Sequence, residues 1–236
     1  MLRSIFGEPP RQWEGQPLEA VQAVERFIRL LQEQERQNRD QVVKRRTYAI
    51  WAEGLLRSLD ELEQSVYAAG RYAERVKRST LEEMSAEERL DYYRHVYYDK
   101  NAFIRVFSLL DKLGTLLNDL LELRTERVKR QFSYFTVLRA MRQKNQHTRL
   151  AYGLQELKER YGDAMNRLRK RRNLEIHHMN SELQDDLFQS LHSEKMRIDP
   201  YLENITLNLR DLEEGWEMVY RSLALSFRYA YPIVKS

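Results

Sequence analysis

The chain has no cysteine, which excludes disulfides, thiolate metal sites and cysteine nucleophiles. Proline and glycine are scarce, five and eight in 236 residues, and the prolines sit near the ends at Pro9, Pro10, Pro17, Pro200 and Pro232. Residues 18–199 therefore lack the one residue that both removes a backbone donor and fixes φ, which suits long helices. No apolar run approaches the roughly 20 residues of a membrane span. The opening Met-Leu-Arg-Ser-Ile-Phe-Gly-Glu-Pro-Pro has no signal-peptide h-region. A soluble, cytoplasmic protein is expected. Also absent are a Gly-rich phosphate loop, an HExxH, a nucleophile elbow, a Rossmann fingerprint, internal repeats and low-complexity tracts.

What is present reads as an all-α helical bundle. Hydrophobic residues make up 42%, enough for a core, and charged residues 32%. A net charge of +4 permits a polyanion partner without demanding one. Residues 1–16 read as an extended arm, anchored by Trp13, and residues 17–236 as a single all-helical domain. Pro17 opens a first helix whose apolar face is Leu18, Val21, Val24, Ile28 and Leu31. A second covers about 42–78, with Lys44-Arg45-Arg46 on its solvated face. Capping boxes at Ser79-Thr80 and Ser85 turn the chain. A third helix, about 86–123, carries Tyr92, Tyr93, Tyr97, Tyr98, Phe103 and Phe107, a band read as core or subunit interface in preference to a base-stacking surface. Basic residues then surround Phe132, Phe135, Leu138 and Met141. A break at His147-Thr148 precedes a helix on Leu150, Leu154 and Leu157. Residues 181–198 read as a short helix or loop, and Pro200 opens a last helix with Leu209, Leu212, Trp216, Val219, Leu223, Phe227 and Ala230 on one face.

The candidate site is Arg167-Leu-Arg-Lys-Arg-Arg-Asn-Leu-Glu-Ile-His-His-Met-Asn180, on a helix that Asp163 can cap. A guanidinium, an amide and an imidazole this close together can bind and cleave a phosphodiester: imidazole moves protons near neutral pH, and guanidinium clamps phosphate oxygens. At about 100° per residue, Asn173 and His177 share a face. Arg172 falls instead on the stripe of Met165, Leu168, Ile176 and Met179, so it is expected to meet a carboxylate or a second protein surface. His177 and His178 diverge by about 100° and cannot easily converge on one metal ion. Their structural alternative is histidine stabilised by the helix dipole. His95, His147 and His192 read as surface residues.

Arg172-Asn173-x-x-x-His177 resembles the R-(N/D/H)-x(3–5)-H motif of the HEPN superfamily of small α-helical nucleotide-binding and ribonuclease domains. The resemblance implies a HEPN-like core at about 90–232 with extra N-terminal helices. It also implies metal-independent RNA cleavage, without cofactor, leaving a 2′,3′-cyclic phosphate and a 5′-hydroxyl. Two motifs would face one cleft in a homodimer. On that resemblance His177 (or, as the alternative, His178) is acid or base, Arg172 stabilises the phosphorane, and Asn173 orients histidine or phosphate. Arg169, Lys170 and Arg171 would hold the RNA backbone. A stress, toxin or defence role would call for an antitoxin partner. The alternative is a non-catalytic helical module that binds a nucleotide or a protein such as a nucleotidyltransferase.

Overall fold

A computed structural model describes residues 2–37, 42–177 and 204–235. The helices are α1 (Leu2–Ile5), α2 (Gly15–Gln37), α3 (Val42–Ala73), α4 (Ala86–Leu120), α5 (Tyr134–Gln143), α6 (Thr148–Arg160), α7 (Gly162–His177) and α8 (Ile205–Lys235), with a 3-10 turn at Thr125–Arg127. Among the described residues there is no β-strand, and no helix is long and apolar enough to cross a membrane. The fold is all-α.

Side-chain contacts give the helix directions. Along α3 and α4, the His95 ring meets the Ala69 carbonyl (2.9 Å), Ser65 Oγ donates to Asn101 Oδ1 (3.1 Å), Lys112 Nζ donates to Ser58 Oγ (2.8 Å), and Tyr48 Oη donates to Asp119 (2.9 Å). One member rises as the other falls, so these two long helices form an antiparallel hairpin. α2 runs parallel to α8, with Phe27 edge-on to Phe227 (5.1 Å) and Gln34 Nε2 donating to the Val234 carbonyl (2.8 Å). α6 and α7 lie antiparallel to α8: His147 Nδ1 meets Tyr229 Oη (2.9 Å), and Tyr161 Oη donates to Glu217 (2.6 Å). Backbone bonds Tyr161 N–H to Leu157 O and Met165 N–H to Tyr161 O carry helical bonding across the break between them. One connected apolar cluster draws on α2 through α8. On α8 it takes Leu212, Val219, Leu223, Phe227 and Ala230, while Leu209 and Trp216 pack at its edge, the face that the heptad-like spacing had marked.

Several details depart from expectation. α3 stops at Ala73 because the next residues serve the following helix. The Glu88 carboxylate accepts from the backbone N–H groups of Lys77 (2.5 Å) and Arg78 (2.7 Å), and Ser85 Oγ caps α4 through Glu88 N–H (3.2 Å). No helix starts at Ser79-Thr80. The arm contains the single turn α1 and is pinned to α3, with Arg3 and Arg11 both paired to Glu63, while Trp13 stacks on Trp216 (6.1 Å). His95 is not a surface residue. It is 1% exposed, on the same stripe of α4 as Tyr92, Asp99 and Phe103. The Ser181–Ile198 stretch, His192 and Pro200 lie outside the described residues, and Asn204 caps α8 through Leu207 N–H (3.0 Å).

The N-terminus of α5 is set against α4 at a glycine. Asp111 Oδ1 accepts from Tyr134 N–H (2.9 Å), and a Cβ on Gly114 would lie 2.8 Å from Tyr134 Cα. The obstructing atom is backbone and cannot swing away. Gly114→Ala is therefore expected to lower stability by about 1–3 kcal/mol. Gly54→Ala, with only the end of Arg57 nearby, should be stabilising by about 0.5–1 kcal/mol. Urea unfolding followed by circular dichroism checks both, and equal effects would contradict the close approach.

Candidate functional site

α7 enters the body by its first half only. Ala164, Met165 and Leu168 are buried, and Leu168 meets α8 at Gly215, where an added Cβ would stand 2.8 Å from Leu168 Cδ1. Beyond Leu168 the apolar packing ends. Leu174 and Ile176 are more than half exposed, so the expected inward stripe does not extend to Ile176. Met179 lies outside the described residues.

The second half is held by charge and aromatic faces. Arg167 grips the buried Asp211 of α8 with a forked set of bonds, Nε at 2.9 and 3.1 Å and NH2 at 2.7 Å. Arg171, one turn on, pairs with the equally buried Asp99 of α4 and lies 4.9 Å over the Phe103 ring. Arg172 lies 4.8 Å over Phe107, one turn along α4 from Phe103, and Arg169 lies 4.8 Å over Phe135 of α5. Lys100 pairs with Glu175 (3.1 Å). Such cation–ring contacts contribute about 0.5–2 kcal/mol each, more as water is excluded. Lys170 is exposed.

Within the chain Arg172 thus meets an aromatic ring and not the carboxylate that was one of its two expected partners. Its Nε and NH2 donate to Oδ1 of its neighbour Asn173 (3.2 and 2.7 Å), and no carboxylate among the described residues is within ion-pair distance of it. The acid it does influence is Asp111. Burial pushes that carboxyl's pKa up, while the hydrogen bond from Tyr134 N–H and the charges of Arg172 and Arg169 pull it down. Asn173 is exposed. His177 is the last residue of α7, so its i,i+4 relation to Asn173 is a true helical one. His178 lies outside the described residues.

The structure therefore brings Arg172 and Asn173 together on an unbroken helix that runs on to His177. It takes Arg171 away from the solvated basic run, because its guanidinium faces inward to Asp99. Sequence reasoning missed Asp99, Asp111 and Asp211, together with the three phenylalanines that carry guanidinium groups. The available signal was a carboxylate on a core stripe: Asp99 shares its stripe with Tyr92 and Phe103, and Asp211 adjoins Leu212. Among the described residues no three His, Asp or Glu side chains are grouped so as to hold a metal ion.

Fold and motif together define a HEPN-type helical domain. The sequence matches the model of the family described as HEPN_Cthe2314-like HEPN over residues 51–231, and the chain belongs to that family. The match begins within α3, earlier than the core limit of about 90 read from the motif. No curated protein and no solved structure matches the chain.

The pairing of α7 has a measurable consequence. Asp99→Ala would remove the buried carboxylate that Arg171 pairs with, a change that typically costs about 3–5 kcal/mol. Adding Arg171→Met should recover most of that loss, since an apolar side chain can replace a buried ion pair at little net cost. A double-mutant cycle from urea unfolding checks this, and strictly additive losses would show that the two residues are not coupled.

Proposed function

We propose that this chain is a metal-independent endoribonuclease that works as a homodimer with a composite site. One observation carries the reading. Among the described residues, Arg167 and Arg171 of α7 are committed to buried aspartates, whereas Arg172 rests half-exposed on a ring and donates to exposed Asn173, with no carboxylate in ion-pair distance. A guanidinium without a carboxylate has hydrogen-bond capacity left for another anion. This one keeps donors that can be handed to a phosphate.

In this reading the ribose 2′-oxygen attacks the adjacent phosphorus and the bond from phosphorus to the 5′-oxygen breaks. A 2′,3′-cyclic phosphate and a 5′-hydroxyl result. One imidazole takes the 2′-hydroxyl proton and a second gives a proton to the departing oxygen. His177 of each protomer supplies these, Arg172 stabilises the extra charge on the phosphorane, and Asn173 orients imidazole or phosphate. The exposed Leu174 and Ile176, with Tyr97 and Ile104 on neighbouring α4, supply apolar surface beside the motif for a two-fold contact. Lys170 and Arg169 take the backbone-holding role, because Arg171 is turned inward.

The test is cleavage of a mixed RNA pool by the full chain in EDTA. His177→Ala is expected to lower the rate by about 10²–10⁴-fold with the fold and RNA affinity retained, and Arg172→Ala should also lose activity. His178→Ala, one residue beyond the i,i+4 spacing from Asn173, should be milder. Wild-type protein that leaves the pool intact, or histidine variants that cleave as wild type, would replace the enzyme by a non-catalytic binding module.

A further inference from the structure

The net charge of +4 conceals a strong segregation. Residues 124–172 carry fifteen Lys and Arg against four Asp and Glu, so the rest of the chain is acidic on balance. Three of these cations line one feature. A groove of about 540 Å³ runs between α5 and α6, with Arg139, Arg142 and Lys158 on its walls and no acidic residue among its lining. None of the three cations has an ion pair among the described residues, although elsewhere Arg3, Arg11, Arg71, Arg105 and Arg228 all do. Two other cavities mix both signs, one lined by Glu19, Arg26 and Arg228 and one by Glu74, Arg78 and Glu213.

Two aromatic residues complete the groove. Tyr152 stands 77% exposed on its α6 side, where a tyrosine adds nothing to the core. Phe135 lines the other end and also carries Arg169 of the motif helix over its ring. The groove is thus continuous with the open side of α7.

We infer that the α5–α6 groove is a binding site for single-stranded RNA, in which Arg139, Arg142 and Lys158 hold consecutive phosphates and Tyr152 stacks on an unpaired base. The identity of the polyanion rests on the ribonuclease reading, whereas the charge and the exposed ring do not. Unpartnered cations along a cleft match a phosphate backbone by charge alone. A flat ring left in solvent beside them suits the face of a base, which a duplex keeps hidden. An acidic protein surface would meet the same cations and gives the exposed ring no such role. All four side chains are exposed, so replacing them leaves the packing alone.

The experiment measures anisotropy of a fluorescein-labelled 2′-O-methyl oligonucleotide of mixed sequence, which lacks the attacking hydroxyl and so cannot be consumed. With the full chain, binding is followed from about 50 to about 200 mM salt. The triple variant Arg139→Gln, Arg142→Gln, Lys158→Gln is expected to bind more weakly and to reduce the slope of log K against log salt by about 2, at about 0.7 for each single-strand phosphate contact. Tyr152→Ala should weaken binding by about tenfold with the slope unchanged, and should have no effect on a duplex of equal length. Unchanged affinity and slope in the triple variant would overturn the site. So would wild-type protein that ignores the oligonucleotide yet binds polyglutamate. Groove-dependent binding without cleavage of ordinary RNA upholds the groove and removes the ribonuclease. Cleavage whose KM and salt dependence are untouched in the triple variant does the reverse.

Discussion

The position of the motif helix depends on two buried carboxylates. Asp211 on α8 and Asp99 on α4 hold Arg167 and Arg171, one turn apart on α7. A buried ion pair is a weak source of stability, because desolvation consumes most of the attraction. Its strength is directional: a forked guanidinium fits a carboxylate in few orientations. Ala164, Met165 and Leu168 seat the start of α7, and these two pairs add directional contacts to α8 and α4 that favour the same face outward. Arg172 and Asn173 are presented to the open side because Arg167 and Arg171 are not.

A run of five basic residues in six thus divides by helical angle into separate duties. Arg167 reaches a buried aspartate from the surface, Arg171 turns inward to another, Arg169 and Arg172 lie across phenylalanine rings, and Lys170 stands in solvent. Asp111 ties this helix to the next element. It caps α5 through Tyr134 N–H, and its ionisation is favoured by the Arg169 and Arg172 charges against the effect of burial. With Phe135 beside Tyr134, the start of α5 and the basic face of α7 form one electrostatic unit.

The fold was legible because its signals are local. A proline-free interior, a period near 3.6 and the breaks at His147-Thr148 and Tyr161-Gly162 each depend on a few neighbouring residues. The α8 face was read correctly for the same reason. What escaped was the partnering of charges across elements. Arg171 finds Asp99 and Arg167 finds Asp211 over long separations in the chain, and nothing in the basic run itself says which arginine turns inward. His95 was misread because its partner is the Ala69 carbonyl, and a backbone oxygen leaves no mark in a sequence. Arg172, Asn173 and His177 could be picked out because their motif is a short spacing on one helix. The buried aspartates that orient that helix obey no such spacing rule.

The helices ahead of the family match act on the same site from behind. α2 lies outside residues 51–231, yet Ala20, Val24, Phe27 and Leu31 belong to the same core cluster as α8, the helix that carries Asp211. Trp13 stacks on Trp216, little more than one turn from Asp211, and in the same arm Arg11 stacks on Trp13 while reaching Glu63 of α3. α8 is therefore clamped on one side by the arm and α2 and on the other by α6 and α7. Asp211 on that helix pairs with Arg167. The arm and α2 thus pack against the helix that carries the partner of Arg167.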